Sequence, residues 1–341
     1  MMPAVSKESL PIRRVGPLDV SAIGLGCMSL SHAYGTPPPP EAAEALLRAA
    51  VDLGVTFFDT AALYGFGTNE TLVGRVLKPV RSRIVLASKC GMTGVDGKRV
   101  IDGRPQTLKR TCDESLRRLQ TDVIDLYYLH RWDRQVPIEE SIGALSDLVR
   151  AGKVRCIGLS EVSAATLRRA HAVHPIAAVQ SEYSLWTRNP ELGVLEACRE
   201  LGAAFVAFSP VARKFLTGTL PDASALEEKD IRRQMPRFDA AHYPANLRLL
   251  DGFAQVAREN GCTPAQLALA WLLARGEHVV PIPGTTNIAH LAENLAAATI
   301  ALDAKSVFRL DEILNANTVS GPRYNAATAA EIDTESFPHA G

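Results

Sequence analysis

The chain has 341 residues and a mass of 36.7 kDa, enough for one large domain or two ordinary ones. Its 37 basic and 37 acidic residues cancel, and a pI near 7.1 leaves no electrostatic footprint for nucleic acid or an anionic membrane. With 47% hydrophobic and 22% charged residues the balance is that of an ordinary globular protein, and no apolar run approaches the roughly 20 residues of a membrane span. The opening segment MMPAVSKESLPIRR lacks an apolar signal core, so a cytoplasmic location is expected. The six cysteines (27, 90, 112, 156, 198, 262) are scattered without a CxxC pair and read as reduced thiols.

Along the chain, IRRVGPLDVSAI has hairpin character and is placed to plug one end of a barrel. Apolar, β-branched runs follow at 22–27, 55–58, 83–87, 123–129, 154–159, 177–180, 204–208 and 279–282. Between them lie segments of helical period at 40–53, 69–78, 105–119, 138–150, 162–172, 190–201, 263–275 and 287–297. Strands alternating with helices in this number predict a parallel sheet closed into a (β/α)8 TIM barrel. Prolines 37–40 stiffen the loop into the first helix. The stretch 212–243 is too long for a plain βα connection and is expected to cover an active site, with 28–40, 90–104, 131–137 and 184–190 as further water-excluding loops. Helices at 244–260 and 303–315 fall outside the eightfold pattern, near the C-terminus, and the tail 318–341 reads as irregular. No linker divides the chain, so 1–341 is expected to be a single domain. Neither a coiled coil nor a sticky helix marks an oligomer.

In such a barrel the C-terminal strand tips converge on one site. The second strand ends at Asp59, the third at Lys89 and the fourth at His130, and the loop after Asp59 brings Tyr64 with glycines around it. Asn69 reads as the cap of the next helix, which carries Leu72, Val73, Val76 and Leu77. Taken singly, Lys89 reads as a barrel-mouth salt bridge and His130 as a core histidine. Together they read as chemistry. Asp59 can hold Lys89 charged, the ammonium is expected to lower Tyr64 from its ordinary pKa near 10, and His130 can donate a hydrogen bond to a carbonyl oxygen.

The motifs FDTAALYG, ASKCG, LHRWD, GLSEVS, VQSEYSLWTR, FLTG and PIPGTTNIAHLAEN resemble those of the aldo-keto reductase superfamily, in its bacterial and plant perakine-reductase-like branch. The resemblance runs in order through residues 12–315. It implies reduction of aldehydes or ketones to alcohols by Asp59, Tyr64, Lys89 and His130, with NADP(H) held in extended form and no metal. It also implies cofactor contacts from Gly26, Met28, Asp59, Ser160, Glu161 (where Asn is frequent) and Gln180. Phe208 would stack on the nicotinamide. Ser209, Pro210, Val211 and Arg213 would clasp the pyrophosphate, with Lys214 and Ala212 standing where glycine is usual. Gly284, Thr285, Thr286, Asn287 and His290 match the phosphate end, and Glu293 and Asn294 the adenine contacts. The Lys or Arg common after Gly284 is missing, so reduced discrimination against NAD(H) is expected.

Other features read differently. Gly24-Leu25-Gly26 lacks the third glycine of a dinucleotide fingerprint. His171 and His174 close a helix, Arg232 and Arg233 read as solvated loop charge, and Trp132 and Trp186 read as pocket lining. A rival class is the redox-sensing regulatory subunit, since potassium-channel β subunits share this fold and tetrad. A third is a metal-dependent barrel lyase or aldolase with Lys89 as Schiff-base nucleophile.

Overall fold

The computed structural model describes residues 10–95 and 98–337, so the expectations for residues 1–9 and 338–341 lie outside the described residues. Strands β1 (Ile12–Val15) and β2 (Leu18–Ser21) form an antiparallel hairpin. The barrel strands are β3 (Leu25–Gly26), β4 (Phe57–Asp59) and β5 (Val85–Cys90). A second hairpin of β6 (Met92–Val95) and β7 (Lys98–Ile101) follows, then β8 (Ile124–Leu129), β9 (Val154–Ser160), β10 (Ile176–Glu182), β11 (Ala204–Phe208) and β12 (Val279–Pro281). The eight barrel strands run parallel in the order β3-β4-β5-β8-β9-β10-β11-β12. Backbone amides of Gly24 and Gly26 donate to Pro281 O (3.0 Å) and Pro283 O (3.2 Å), which joins the two edge strands and closes the (β/α)8 barrel.

Helices α1 (Pro40–Asp52), α2 (Thr68–Leu77), α3 (Pro105–Leu119), α4 (Ile138–Arg150), α5 (Ala164–Val173) and α6 (Val194–Leu201) alternate with the strands. The segment expected as one helix at 244–260 is two, α7 (Tyr243–Leu247) and α8 (Leu249–Glu259). Helices α9 (Pro264–Leu273) and α10 (Ile288–Ala296) complete the outer ring, α11 (Ala304–Ile313) packs on α8, and α12 (Ala326–Ala329) lies in the tail. Ring helices start where the sequence supplies caps: Ser163 for α5, and Thr263 with Gln266 in a capping box for α9. Among the described residues, no helix is long and apolar enough to cross a membrane.

Two cores hold the barrel. The larger lies between strands and helices; the smaller fills the barrel interior, where Val15, Leu18 and Val20 of the first hairpin meet Phe57, Leu126, Tyr128, Val206 and Val280. That hairpin therefore plugs the N-terminal end. Arg13 locks it there by donating to Gly276 O (2.8 Å) and Leu273 O (2.7 Å). The mouth stays open to chemistry because the hydrophobic filling stops at Tyr128, below Lys89.

Helices α2 and α3 cross closely at Gly74, where a Cβ would stand 2.5 Å from the Leu119 backbone. Backbone cannot swing aside as a side chain can. Gly74→Ala is therefore expected to destabilise by about 1–3 kcal/mol despite the better helix propensity of alanine, read as a lower thermal midpoint.

Candidate active site

Asp59 ends β4, Lys89 lies in β5 and His130 directly follows β8, so three neighbouring strands deliver their polar tips to one point. The fourth group comes from a turn. Tyr64 is followed by Gly65, Phe66 and Gly67 in left-handed backbone at φ 55°, 52° and 95°. A Cβ on Gly65 would lie 2.2 Å from Thr68 Oγ1, so the tight reversal needs glycine there. Asn69 does not cap α2, whose N-cap is Gly67 without a side-chain bond. It is buried and accepts from Thr60 (2.6 Å) while donating to Cys27 O (2.8 Å) and Ser31 Oγ (2.5 Å). The loop after Asp59 is thereby stitched to the loop after β3.

The Lys89 ammonium is fully buried and ion-paired with Asp59. It also donates to Thr60 O (2.8 Å) and Tyr64 Oη (3.3 Å), while Asp59 accepts from Gln180 (2.7 Å). Burial alone would lower Lys89, but Asp59 and Tyr64 more than offset it and leave the amine above its ordinary pKa of 10.5. An amine held charged by three partners is a poor Schiff-base nucleophile. The expected depression of Tyr64 is reversed: burial raises it above 10, and the opposing pull of Lys89 is the smaller effect. Tyr64 is a protonated phenol at neutral pH. His130 meets its ring edge-on at 5.9 Å between centroids, and burial with Arg131 and Lys89 nearby holds the imidazole well below 6.5, hence neutral.

Asp59, Tyr64 and His130, with Lys89 buried behind them, face a cavity of about 1110 Å³, above the roughly 300–1,000 Å³ of a usual ligand pocket. Its lining includes Gly26, Met28, Asp59, Tyr64, His130, Ser160, Gln180 and Phe208. It continues through Ser209, Pro210, Val211 and Arg213 to Gly284, Thr285, Thr286, His290, Glu293 and Asn294. The sites expected from dispersed motifs thus form one groove. Ser209, Ala212, Arg213 and Lys214 take left-handed φ of 49°, 51°, 55° and 80°. Ala212 and Lys214 hold the backbone shape for which glycine is suited, at about 1–2 kcal/mol each.

Several expected residues stand elsewhere. Trp132 and Trp186 do not line the cavity: the Trp132 indole donates to Val136 O (2.9 Å), and Trp186 is buried on Phe215 at 4.0 Å between rings. Asn287 caps α10, its Oδ1 accepting from Ala289 N (2.7 Å) and His290 N (3.4 Å). Arg232 is not solvated but buried against Asp230, donating to Arg213 O (3.2 Å) inside the cavity wall. Glu161 has both carboxylate oxygens taken by Arg323 at 2.7 Å.

The sequence pattern of the Aldo/keto reductase family matches residues 22–315. The chain belongs to the aldo/keto reductase family. It is 43% identical over 339 residues to the NADP(+) aldo-keto reductase yakc of Schizosaccharomyces pombe, covering 97% of this chain and 99% of that one. It is 44% identical over 315 residues to the probable aldo-keto reductase 1 of Glycine max, covering 90% of this chain and 89% of that one. The solved glycerol dehydrogenase of Gluconobacter oxydans superposes with TM-score 0.83 at 28% identity, covering 91% of this chain and 97% of the other. This aldo/keto reductase is therefore an oxidoreductase.

Sequence reasoning missed its tail. Residues 318–337 are irregular apart from the short α12, but four of them, Tyr324, Asn325, Thr328 and Glu331, line the cavity. The available signal was compositional, an Arg-Tyr pair after Gly321-Pro322 and acids at 331, 333 and 335 in alternation. It also missed Arg131, whose guanidinium donates to His130 O (2.6 Å) and Ser160 Oγ (3.2 Å) at the cavity wall. The depressed pKa of His130 has a linkage consequence. Between its folded value and the unfolded value of about 6.5 the unfolded chain binds the extra proton, so acidification below that point destabilises the fold. His130→Gln is expected to lose less in thermal midpoint than the wild type on moving from about pH 7.5 to about pH 5.5.

Proposed function

We propose that the chain reduces aldehydes or ketones to alcohols with NADP(H), through Asp59, Tyr64, Lys89 and His130. The observation that carries this is the Tyr64 hydroxyl: it faces the cavity, is kept protonated by burial, and lies 3.3 Å from a permanently charged Lys89. The groove fits an extended dinucleotide, being long, lined by both apolar and polar side chains, and supplied with a buried Ser29 hydroxyl that has no partner among the described residues. Ser160 and Gln180 would hold the carboxamide, Phe208 would stack on the ring, and Ser209 to Arg213 would clasp the pyrophosphate. Thr285, Thr286 and His290 at the start of α10 would take the phosphate end, with Glu293 and Asn294 at the adenine.

Bound there, the reduced nicotinamide supplies a hydride to the carbonyl carbon. The protein's own share is the carbonyl oxygen. Neutral His130 donates a hydrogen bond to that oxygen and fixes its direction. Tyr64 gives its proton as negative charge develops, and the ammonium of Lys89 stabilises the phenolate left behind. Asp59 and Thr60 O keep the ammonium under Tyr64. Because the phenol lies above its ordinary pKa, the reducing direction finds its acid already loaded at neutral pH. The substrate this supports is a small-molecule carbonyl compound.

Tyr64→Phe is expected to lower kcat by at least about a hundredfold with NADPH binding retained; a variant keeping most of its activity would remove Tyr64 from this role. The preference between cofactors is set by hydroxyls, helix amides and one histidine, without Lys or Arg at 285–287. NADPH is expected to remain ahead in kcat/KM, by less than an arginine-bearing site would give, when both cofactors are assayed with the same aldehydes and ketones. An advantage of about tenfold or more for NADH would overturn the assignment.

A further inference from the structure

The cavity wall beside Phe208 is built from a cluster of charge of which the proposed function uses Arg213 alone. Arg323 is fully engaged: it donates to both oxygens of Glu161 at 2.7 Å and to Glu182 at 3.1 Å. Glu182 also takes Arg213 at 2.7 Å, and the Tyr324 hydroxyl accepts from Arg213 at 3.2 Å and from Arg323 at 3.1 Å. All four charged side chains are at least nine-tenths buried. Such a cluster is specified by the fold, since loss of Arg323 leaves Glu161 without its cation and loss of Glu182 leaves Arg213 without its anion.

Its position gives it a task. Glu161 follows Ser160 at the tip of β9, and Glu182 ends β10 two residues after Gln180. Glu182 N already donates to Glu161 Oε1 (2.9 Å), and Arg323 adds a charged tie across the same two strand tips, proposed to carry the carboxamide-holding groups. Glu161 sits in left-handed backbone at φ 56°, a conformation that needs an outside anchor to persist, and Arg323 supplies it. The guanidinium carbons of Arg323 and Arg213 each lie 5.9 Å from the centre of the Phe208 ring, which is thereby fixed as a flat wall. Tyr324 and Glu331 of the same tail then line the cavity itself.

The rest of the tail is tied to the rim of the barrel. Glu331 takes Arg99 of the second hairpin at 2.6 Å, and Asp333 takes Arg134 at 3.1 Å and the hydroxyls of Ser163 (3.0 Å) and Thr166 (2.6 Å). Glu335 accepts from Ala164 N (2.7 Å) at the start of α5, and Asp333 N donates back to Glu161 O (2.9 Å). Acids at alternate positions of an extended segment thus meet two arginines and a helix N-terminus, each favourable for negative charge.

We propose that residues 323–335 form a strap whose buried Arg323, gripped by Glu161 and Glu182, is a positioning residue that sets how tightly the nicotinamide half of the cofactor is held. The inference rests on the cofactor proposed above. Arg323 touches neither reacting atom; it acts through Ser160, Gln180 and Phe208. Loss of the grip therefore loosens cofactor while leaving the chemistry at Tyr64 in place once the groove is filled.

The test is NADPH titration of the full-length protein by quenching of tryptophan fluorescence, with kcat and carbonyl KM measured at saturating NADPH. Three forms are compared: wild type, Arg323→Lys, and the double variant Glu161→Gln with Arg323→Gln, which removes both charges together so that neither is left buried unpaired, with folding checked by circular dichroism. The double variant is expected to raise the Kd for NADPH about tenfold or more, with kcat at saturation within about threefold of wild type. Lysine, a cation without the two-pronged fork, is expected to fall between. A folded double variant with Kd within about twofold of wild type overturns the strap's role, as does a loss confined to kcat. Wild type that binds no nicotinamide cofactor overturns the proposed function instead, so the two failures are distinct.

Discussion

The ion pair between Lys89 and Asp59 is the constraint around which the barrel mouth is arranged. Neither side chain is exposed beyond 2%, so both ions have lost their water and must find substitutes within the protein. Thr60 O and Tyr64 supply them for the ammonium, and Gln180 for the carboxylate. These partners come from the turn after β4 and from β10, on opposite sides of the barrel. Only a closed barrel brings them to one point. The hydrogen bonds from Gly24 and Gly26 that close it belong to the site as much as to the fold.

A buried cation that stays charged has a defined effect on its neighbours. It favours phenolate on Tyr64, yet burial disfavours that anion more strongly, and the phenol remains loaded. Burial first, then Arg131 and the same positive field, keep His130 neutral and so able to present one N–H and one lone pair. In the proposed mechanism the two titratable groups thus differ in kind: Tyr64 gives a proton and His130 only directs. The assignment follows from burial and sign of charge, not from the residue types alone.

The central strands and their polar tips were legible because apolar runs end abruptly at Asp59, Lys89 and His130, a local pattern in the chain. The strap was not, because its partners lie 162 residues away for Glu161 and Arg323, and an extended polar tail has no period to read. The same reason hid Arg232, where a pair of loop arginines looks solvated until Asp230 and Arg213 O are seen around one of them. Asn69 misled for a different cause. Asn next to a helix start is a good cap, but here the glycine before it already turns the chain, which frees the amide for buried duty. Trp132 and Trp186 failed because a position just past a strand fixes the layer of a side chain and not its direction. Conversely, the loop at 212–214 kept its left-handed backbone without glycine, so residue type there was a weaker guide than the shape itself.

The two ends of the groove are then held by different physics. At the Tyr64 end Tyr64 and Gln180 are held by the buried Lys89 pair and Phe208 lies against the cluster of Glu161, Glu182, Arg213 and Arg323, and charges desolvated this far are screened little by salt. At the far end Thr285, Thr286 and His290 lie near the exposed start of α10, and the Asn287 side chain already occupies two of the helix's free amides. What remains for an anion there is the helix dipole and hydroxyl donors, which salt weakens. A ligand spanning the groove is consequently oriented from the reacting end outward. For the proposed cofactor, identity at the distal end would then be read with less free energy than placement against Tyr64.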